Sequence, residues 1–122
     1  MTIAEVITEV DELKPNNYEN KEKVRWISIL EGKIIDEIFK THLLGEKIEF
    51  KGYSEHDMDK TLLVPDTYAD VYRYYVSAMI DANNAESIRY ASDMALFNAA
   101  YSDFSHYYNR TNMPNGNPLR LF

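Results

Sequence analysis

Met94 to Pro114 reads MALFNAAYSDFSHYYNRTNMP. Met94, Phe97, Tyr101, Phe104 and Tyr108 are separated by 3, 4, 3 and 4 positions, the spacing of a helix face built to pack on another helix. Ala95, Ala99 and Ala100 flank that seam and permit close approach of a neighbouring helix. Pro114 and Asn115-Gly116 stop the helix, leaving Asn117 to Phe122 as an extended tail. A seam of large rings needs a partner. Each large side chain it buries contributes roughly 1.5–3 kcal/mol.

The partner lies just upstream. Tyr68, Tyr72, Tyr75, Met79 and Ala82 step by four and three, so they share one face of a helix expected from Thr67 to Tyr90. Val64-Pro65-Asp66 opens that helix, with Asp66 as its N-cap. A break is expected near Ala91-Ser92-Asp93, where Ser92 can cap a new helix. The two helices then form an antiparallel pair.

Toward the N-terminus, Thr2-Ile3-Ala4-Glu5 has the form of a capping box. Ile3, Val6, Ile7, Val10 and Leu13 follow at helical spacing, and Lys14-Pro15-Asn16-Asn17 ends the helix. A second helix is expected from Glu19 to Thr41, with Val24, Ile27, Leu30 or Glu31, Ile34, Ile35 and Ile38 as its apolar stripe and Trp26 and Phe39 widening it. Gly32 in its middle marks a close helix contact. Residues 42–66 have no sustained helical period and read as a long, mobile connection, with room for a short β-hairpin at Ile48–Phe50 and Leu62–Val64.

The fold class is therefore all-α. A single domain spans residues 1–122: N-terminal helices over 1–41, an acidic loop over 42–66, C-terminal helices over 67–113 and a tail over 114–122. A chain of 122 residues supports one modest core, and 45% hydrophobic residues is too apolar for a disordered chain. Ten tyrosines suit surfaces that are dry on one side and wet on the other, subunit interfaces among them.

Charge excludes some functions. The net charge of −7 is concentrated in residues 1–13, at −4, and 42–66, at −3, while 92–122 is neutral. An acidic chain with no basic stripe is poorly made for gripping phosphates. No cysteine is present, so no disulfide framework or thiolate metal site exists. The acidic start lacks the basic, apolar form of a signal peptide, and no apolar run reaches the roughly 20 residues that span a bilayer. Asn109-Arg110-Thr111 matches a glycosylation sequon by chance in a chain read as cytosolic.

Catalytic and metal signatures are lacking. His42, His56 and His106 fall in separate elements, and none has a histidine at i+3 or i+4. Glu55-His56-Asp57-Met58-Asp59 lacks the glycine and closing glutamate of a calcium loop and reads as a solvated segment. Asp11-Glu12 and Asp36-Glu37 read as wet helix faces. No GxSxG elbow or phosphate-cradling glycine loop occurs. The reading is a non-enzymatic protein with no cofactor and no metal.

Two segments invite partners. Leu119, Arg120, Leu121 and Phe122 place three apolar residues around one arginine on a tail with nothing local to pack against. Glu46, Glu49, Glu55, Asp57 and Asp59 make the 42–66 loop an acidic surface.

The opening MTIAEVITEVDELKPNNY, then Glu22-Lys23-Val24-Arg25-Trp26-Ile27 with Leu30-Glu31-Gly32-Lys33-Ile34, next Leu63-Val64-Pro65-Asp66-Thr67-Tyr68, and last Ala95 to Tyr101 with Tyr108 to Pro114, together resemble a known family. It is that of the head–tail connectors, also called adaptor or head-completion proteins, of long-tailed bacteriophages and prophages. The resemblance runs over nearly the whole chain through packing motifs. It implies a ring of about a dozen copies closed by head-to-tail contacts. Such a ring docks under the portal protein in the virion neck, after assembly in the bacterial host's cytoplasm, and receives the tail or a stopper protein. DNA passes through it without specific binding, and no membrane is involved. Acids facing that channel would repel the DNA backbone, and the tail would reach a neighbour or the portal. The isolated protein is then expected to be monomeric. The alternative is a small acidic phage protein that binds a host or phage protein as a regulator, its surface imitating DNA.

Overall fold

The computed structural model describes residues 1–42 and 48–112. Pro114, the tail residues Leu119, Arg120, Leu121 and Phe122, and the loop residue Glu46 lie outside the described residues.

Four helices form the body: α1 (Ile3–Leu13), α2 (Asn20–Glu37), α3 (Asp70–Asn83) and α4 (Ser87–Thr111). Single 3-10 turns stand at Phe39–Thr41, Glu55–Asp57 and Asp66–Tyr68, and no strand occurs among the described residues. The protein is a small all-α bundle. Its core collects Ile3, Val6, Ile7 and Val10 from α1, the Val24-to-Ile35 stripe of α2, Val71, Val76 and Ile80 from α3, and Phe97 and Phe104 from α4.

α1 starts where its capping box requires. The Glu5 amide donates to Thr2 Oγ1 at 3.2 Å and the Thr2 amide donates to Glu5 Oε1 at 3.0 Å. Those hydrogen bonds, backbone first, hold the Glu5 carboxyl below its ordinary pKa. α2 stops at Glu37, short of the expected Thr41, and tightens into the Phe39–Thr41 turn, where Thr41 Oγ1 donates to the Ile38 carbonyl at 2.6 Å. Gly32 meets a ring of the central segment and not another helix: a Cβ built there would lie 3.7 Å from Phe50, an ordinary contact.

The C-terminal pair is antiparallel, but its break differs from expectation. α3 ends at Asn83 and α4 begins at Ser87, so Ser92 is an exposed mid-helix residue and caps nothing. The turn is a Schellman motif. The Glu86 amide donates to the Asp81 carbonyl at 2.9 Å, the Ala85 amide donates to Ala82 at 3.2 Å, and Ala85 is left-handed at φ 59°. Glycine is the usual residue at that position, and here alanine holds it, which hides the turn from a reading of composition. Asp66 is also not a helix N-cap. It opens the Asp66–Tyr68 turn with no side-chain cap bond, and its carboxylate pairs with the Met1 ammonium.

The aromatic seam packs in part as its spacing implies: Phe97 and Phe104 meet the expected rings, while Tyr108 turns to Phe39 and His42 and Ala82 is exposed. Tyr75 meets Phe97 at 5.3 Å between ring centroids, Tyr68 meets Phe104 at 5.7 Å, and Phe39 meets Tyr108 at 4.8 Å. Phe97 and Phe104 are buried, while Met94, Tyr101 and Tyr108 are half-buried, as are Met79 and Tyr75 on α3. Tyr72 departs too: wholly buried, it turns its hydroxyl to α2. Ala95 and Ala99 point outward and are exposed, so they do not serve the contact with α3.

Candidate functional site

The described part of the central segment, residues 48–66, is bound to the helices along its length. Helix α1 begins with amides that lack intrahelical acceptors. Ile3 donates to the Lys60 carbonyl at 3.2 Å and Ala4 to the Met58 carbonyl at 2.8 Å, so the segment caps α1 with its own backbone. The Leu62 amide donates to the Met1 carbonyl at 2.9 Å, and Thr2 and Thr61 form an antiparallel bridge. Over α2, the Tyr53 amide donates to Ser28 Oγ at 2.9 Å and the Phe50 ring covers Gly32. The expected mobile arm is, over 48–66, a strap. Its backbone groups find partners on α1 and α2, which a local apolar period cannot report.

Glu31 is the strap's anchor. Its side chain is wholly buried and faces no cation among the described residues. Instead the Tyr72 hydroxyl donates to Oε1 at 2.6 Å, and the Leu63 amide and Tyr53 hydroxyl donate to Oε2 at 2.9 and 3.0 Å. The Val64 amide in turn donates to the Tyr72 hydroxyl at 3.0 Å. Burial raises the Glu31 pKa, and its three donors oppose that rise without cancelling it. Burial beside this carboxylate also pushes the Tyr72 and Tyr53 hydroxyls well above the ordinary phenol range. One carboxylate thus joins α2, α3 and the strap.

A second junction ties α1 to the C-terminal pair. Lys14, just past the end of α1, donates from Nζ to Asp81 Oδ2 at 2.6 Å and to Asp93 Oδ2 at 2.7 Å. Asp81 belongs to α3 and is buried; Asp93 belongs to α4. Burial, with Asp93 beside it, raises the Asp81 pKa, whereas bonds to Asp81 and Lys14 lower that of Asp93 against its own burial. Lys14 is raised, since its two carboxylates outweigh the desolvation that opposes them. Asp81 Oδ1 is buried without a hydrogen-bond partner. Nearby, the Tyr18 hydroxyl donates to Asn84 Oδ1 at 2.8 Å and reinforces the same connection. A third buried charge, Lys23, pairs with Asp11 at 2.8 Å between α2 and α1.

Two further polar contacts stand at the far end of α2, one buried and one exposed. His42 is buried with Nδ1 2.7 Å from the Ile38 carbonyl, so that nitrogen carries the proton, and its ring meets Tyr108 edge-on at 4.6 Å. Tyr101 on α4 donates to Glu37 Oε1 at 2.6 Å.

The acids singled out in the sequence divide. Glu49, Glu55 and Asp59 are exposed on the strap. Asp57 is half-buried and occupied: its Oδ2 accepts from the Ser54 amide at 2.8 Å, a bond that lowers its pKa first among the causes. His56 is exposed beside it on the Glu55–Asp57 turn. Among the described residues no group of three or more His, Asp or Glu side chains gathers as a metal site. No helix among them is long and apolar enough to cross a membrane.

Sequence reasoning placed Glu31 on the α2 stripe but gave it no task. A glutamate among Ile27, Ile34 and Ile35 was the available signal, since a carboxylate on a buried stripe requires donors. Lys14, Asp81 and Asp93 carry no such signal, being far apart in sequence, Lys14 at the end of α1 and the two aspartates each ordinary in its own helix. Compared with protein-family models, with curated proteins and with solved structures, the chain matches none.

Proposed function

We propose that this protein is a non-enzymatic structural subunit of a long-tailed bacteriophage. It forms a ring between the portal and the tail or stopper protein, and DNA passes through the centre. The sequence resemblance supplies the family. The observation that carries the reading is the strap: Glu49, Glu55 and Asp59 are exposed on a segment tied to α1 and α2 through Met58, Lys60, Leu62 and Tyr53. Exposed acids on a firmly held segment keep their charge at fixed positions, and they outnumber the exposed Lys51 and Lys60 beside them. That suits a channel wall that repels phosphate and lets DNA slide. The buried polar side chains support the same reading, because Glu31, Lys23 and the Lys14 cluster join helices to one another instead of converging on a cleft.

Deleting the gene from its phage tests the proposal. DNA-filled heads lacking tails should accumulate, and wild-type virions should contain this chain in the neck by mass spectrometry and electron microscopy. Full infectious yield from the deletion overturns it. So does a chain that is needed for growth but missing from particles, which would favour the regulator. Replacing Glu49, Glu55 and Asp59 together with lysine should leave rings intact and slow DNA release.

A further inference from the structure

Helix α4 carries a second, outward seam. Ile88, Ser92, Ala95, Ala99, Ser102 and His106 are separated by 4, 3, 4, 3 and 4 positions on the side opposite Phe97 and Phe104. All six are exposed, Ile88 at 86%, and Leu96 at the seam's edge is 48% exposed. Ile88 and Leu96 are the two large apolar side chains of this face, and they gain only when another surface covers them.

The arrangement of charge identifies the cover. Arg89, Leu96 and Asp103 follow at intervals of seven along one edge of the seam, so they occupy one position of successive heptads. We propose that this face binds the same face of a second copy, helix antiparallel to helix. Setting Ala95 against Ala99 of the second copy also sets Ser92 against its Ser102 and Ile88 against its His106. Along the edge, Leu96 meets its own counterpart at the twofold axis. Arg89 meets Asp103 of the second copy, and that ion pair forms twice. A parallel alignment instead puts these edges on opposite sides of the seam, where Arg89 and Asp103 face Ala91, Asn98 and Ser105 of the second copy and form no ion pair. Arg89 now pairs with Glu86 of its own chain at 3.2 Å, an exposed pair with little to lose by exchange.

Small residues along the centre let the two helices approach closely. A 25-residue helix is about 37 Å long, and one face of it offers less than the roughly 800 Å² per partner of a standard interface. The dimer is therefore a weak one. It is isologous and closes on itself, so it is separate from the head-to-tail contacts of a ring and stands whether or not the ring does.

Sedimentation velocity on the full chain over a range of concentrations should show one chain giving way to two. Arg89→Asp and Asp103→Arg should each weaken association about tenfold, as exposed ion pairs become repulsions, and the double reversal should restore it. The native chain lacks cysteine, so Leu96→Cys alone reports the axis: mild oxidation should crosslink it to a dimer, while Thr61→Cys on the strap should stay monomeric. A monomer at every concentration overturns the proposal. Failure of the double reversal to restore pairing, or equal crosslinking at positions 61 and 96, does the same.

Discussion

Glu31 and Asp81 are both buried carboxylates on helices, yet they are held in opposite ways. Among the described residues Glu31 has three neutral donors and no cation, whereas Asp81 shares one ammonium with Asp93 and leaves Oδ1 without a donor. In both, burial raises the pKa. The difference is one of balance. Hydrogen bonds from hydroxyls and an amide satisfy a carboxylate in a chosen direction, so Glu31 sets where the strap lies. The Lys14 cluster acts as a clasp between helices whose apolar faces already define their positions, and it tolerates an imperfect geometry.

That contrast can be tested in order of expected effect. Glu31→Ala leaves the buried Tyr72 hydroxyl and the part-buried Tyr53 and Leu63 donors without their acceptor, and should cost about 3 kcal/mol in urea unfolding. Amide exchange should quicken most in residues 53–64. Exchange that quickened evenly over the whole chain would remove the special tie between Glu31 and the strap. Lys14→Met should cost less, about 2 kcal/mol, the scale of a hydrogen bond to a charged group, because Lys14 and Asp93 are already partly in water. A larger loss than that of Glu31→Ala would reverse the ranking argued above.

Ala85→Gly, at the turn between Asp81 and Asp93, should stabilise the protein by up to about 1 kcal/mol by relieving a left-handed alanine. No gain in melting temperature would show that the clasp and the Schellman bonds already absorb that strain.

The smallest effect is one of pH. The folded-state pKa of Glu31 is raised, so the folded chain holds that proton more tightly than the unfolded chain does. Its contribution is complete below the unfolded value of about 4.3 and is lost as pH rises through the folded value. Wild type should therefore lose stability relative to Glu31→Gln as pH climbs from about 4.3. A difference between the two that stayed constant with pH would mean that Glu31 titrates alike in both states.

How much of this was legible beforehand depended on distance along the chain. The capping box at Thr2 and Glu5, the end of α1 at Leu13 and the Phe97–Phe104 seam rest on neighbours within a turn or two, and the structure keeps them. The α3–α4 turn was missed because Ala85 occupies a conformation that composition assigns to glycine. Tyr72 was grouped with the seam because its spacing fits, but a buried hydroxyl follows its acceptor, and Glu31 is on another helix.

From the sequence alone came the number of long apolar faces and the all-α class, since helical periodicity is a local property of the chain. The course of residues 48–66, the duty of Glu31 and the meeting of Lys14 with Asp81 and Asp93 came only with tertiary structure. Every residue except proline carries the same backbone donor and acceptor, so a strap held by amides and carbonyls leaves no pattern in residue type. A buried carboxylate or ammonium likewise takes its meaning from groups dozens of residues away, which only the assembled helices bring within hydrogen-bonding reach.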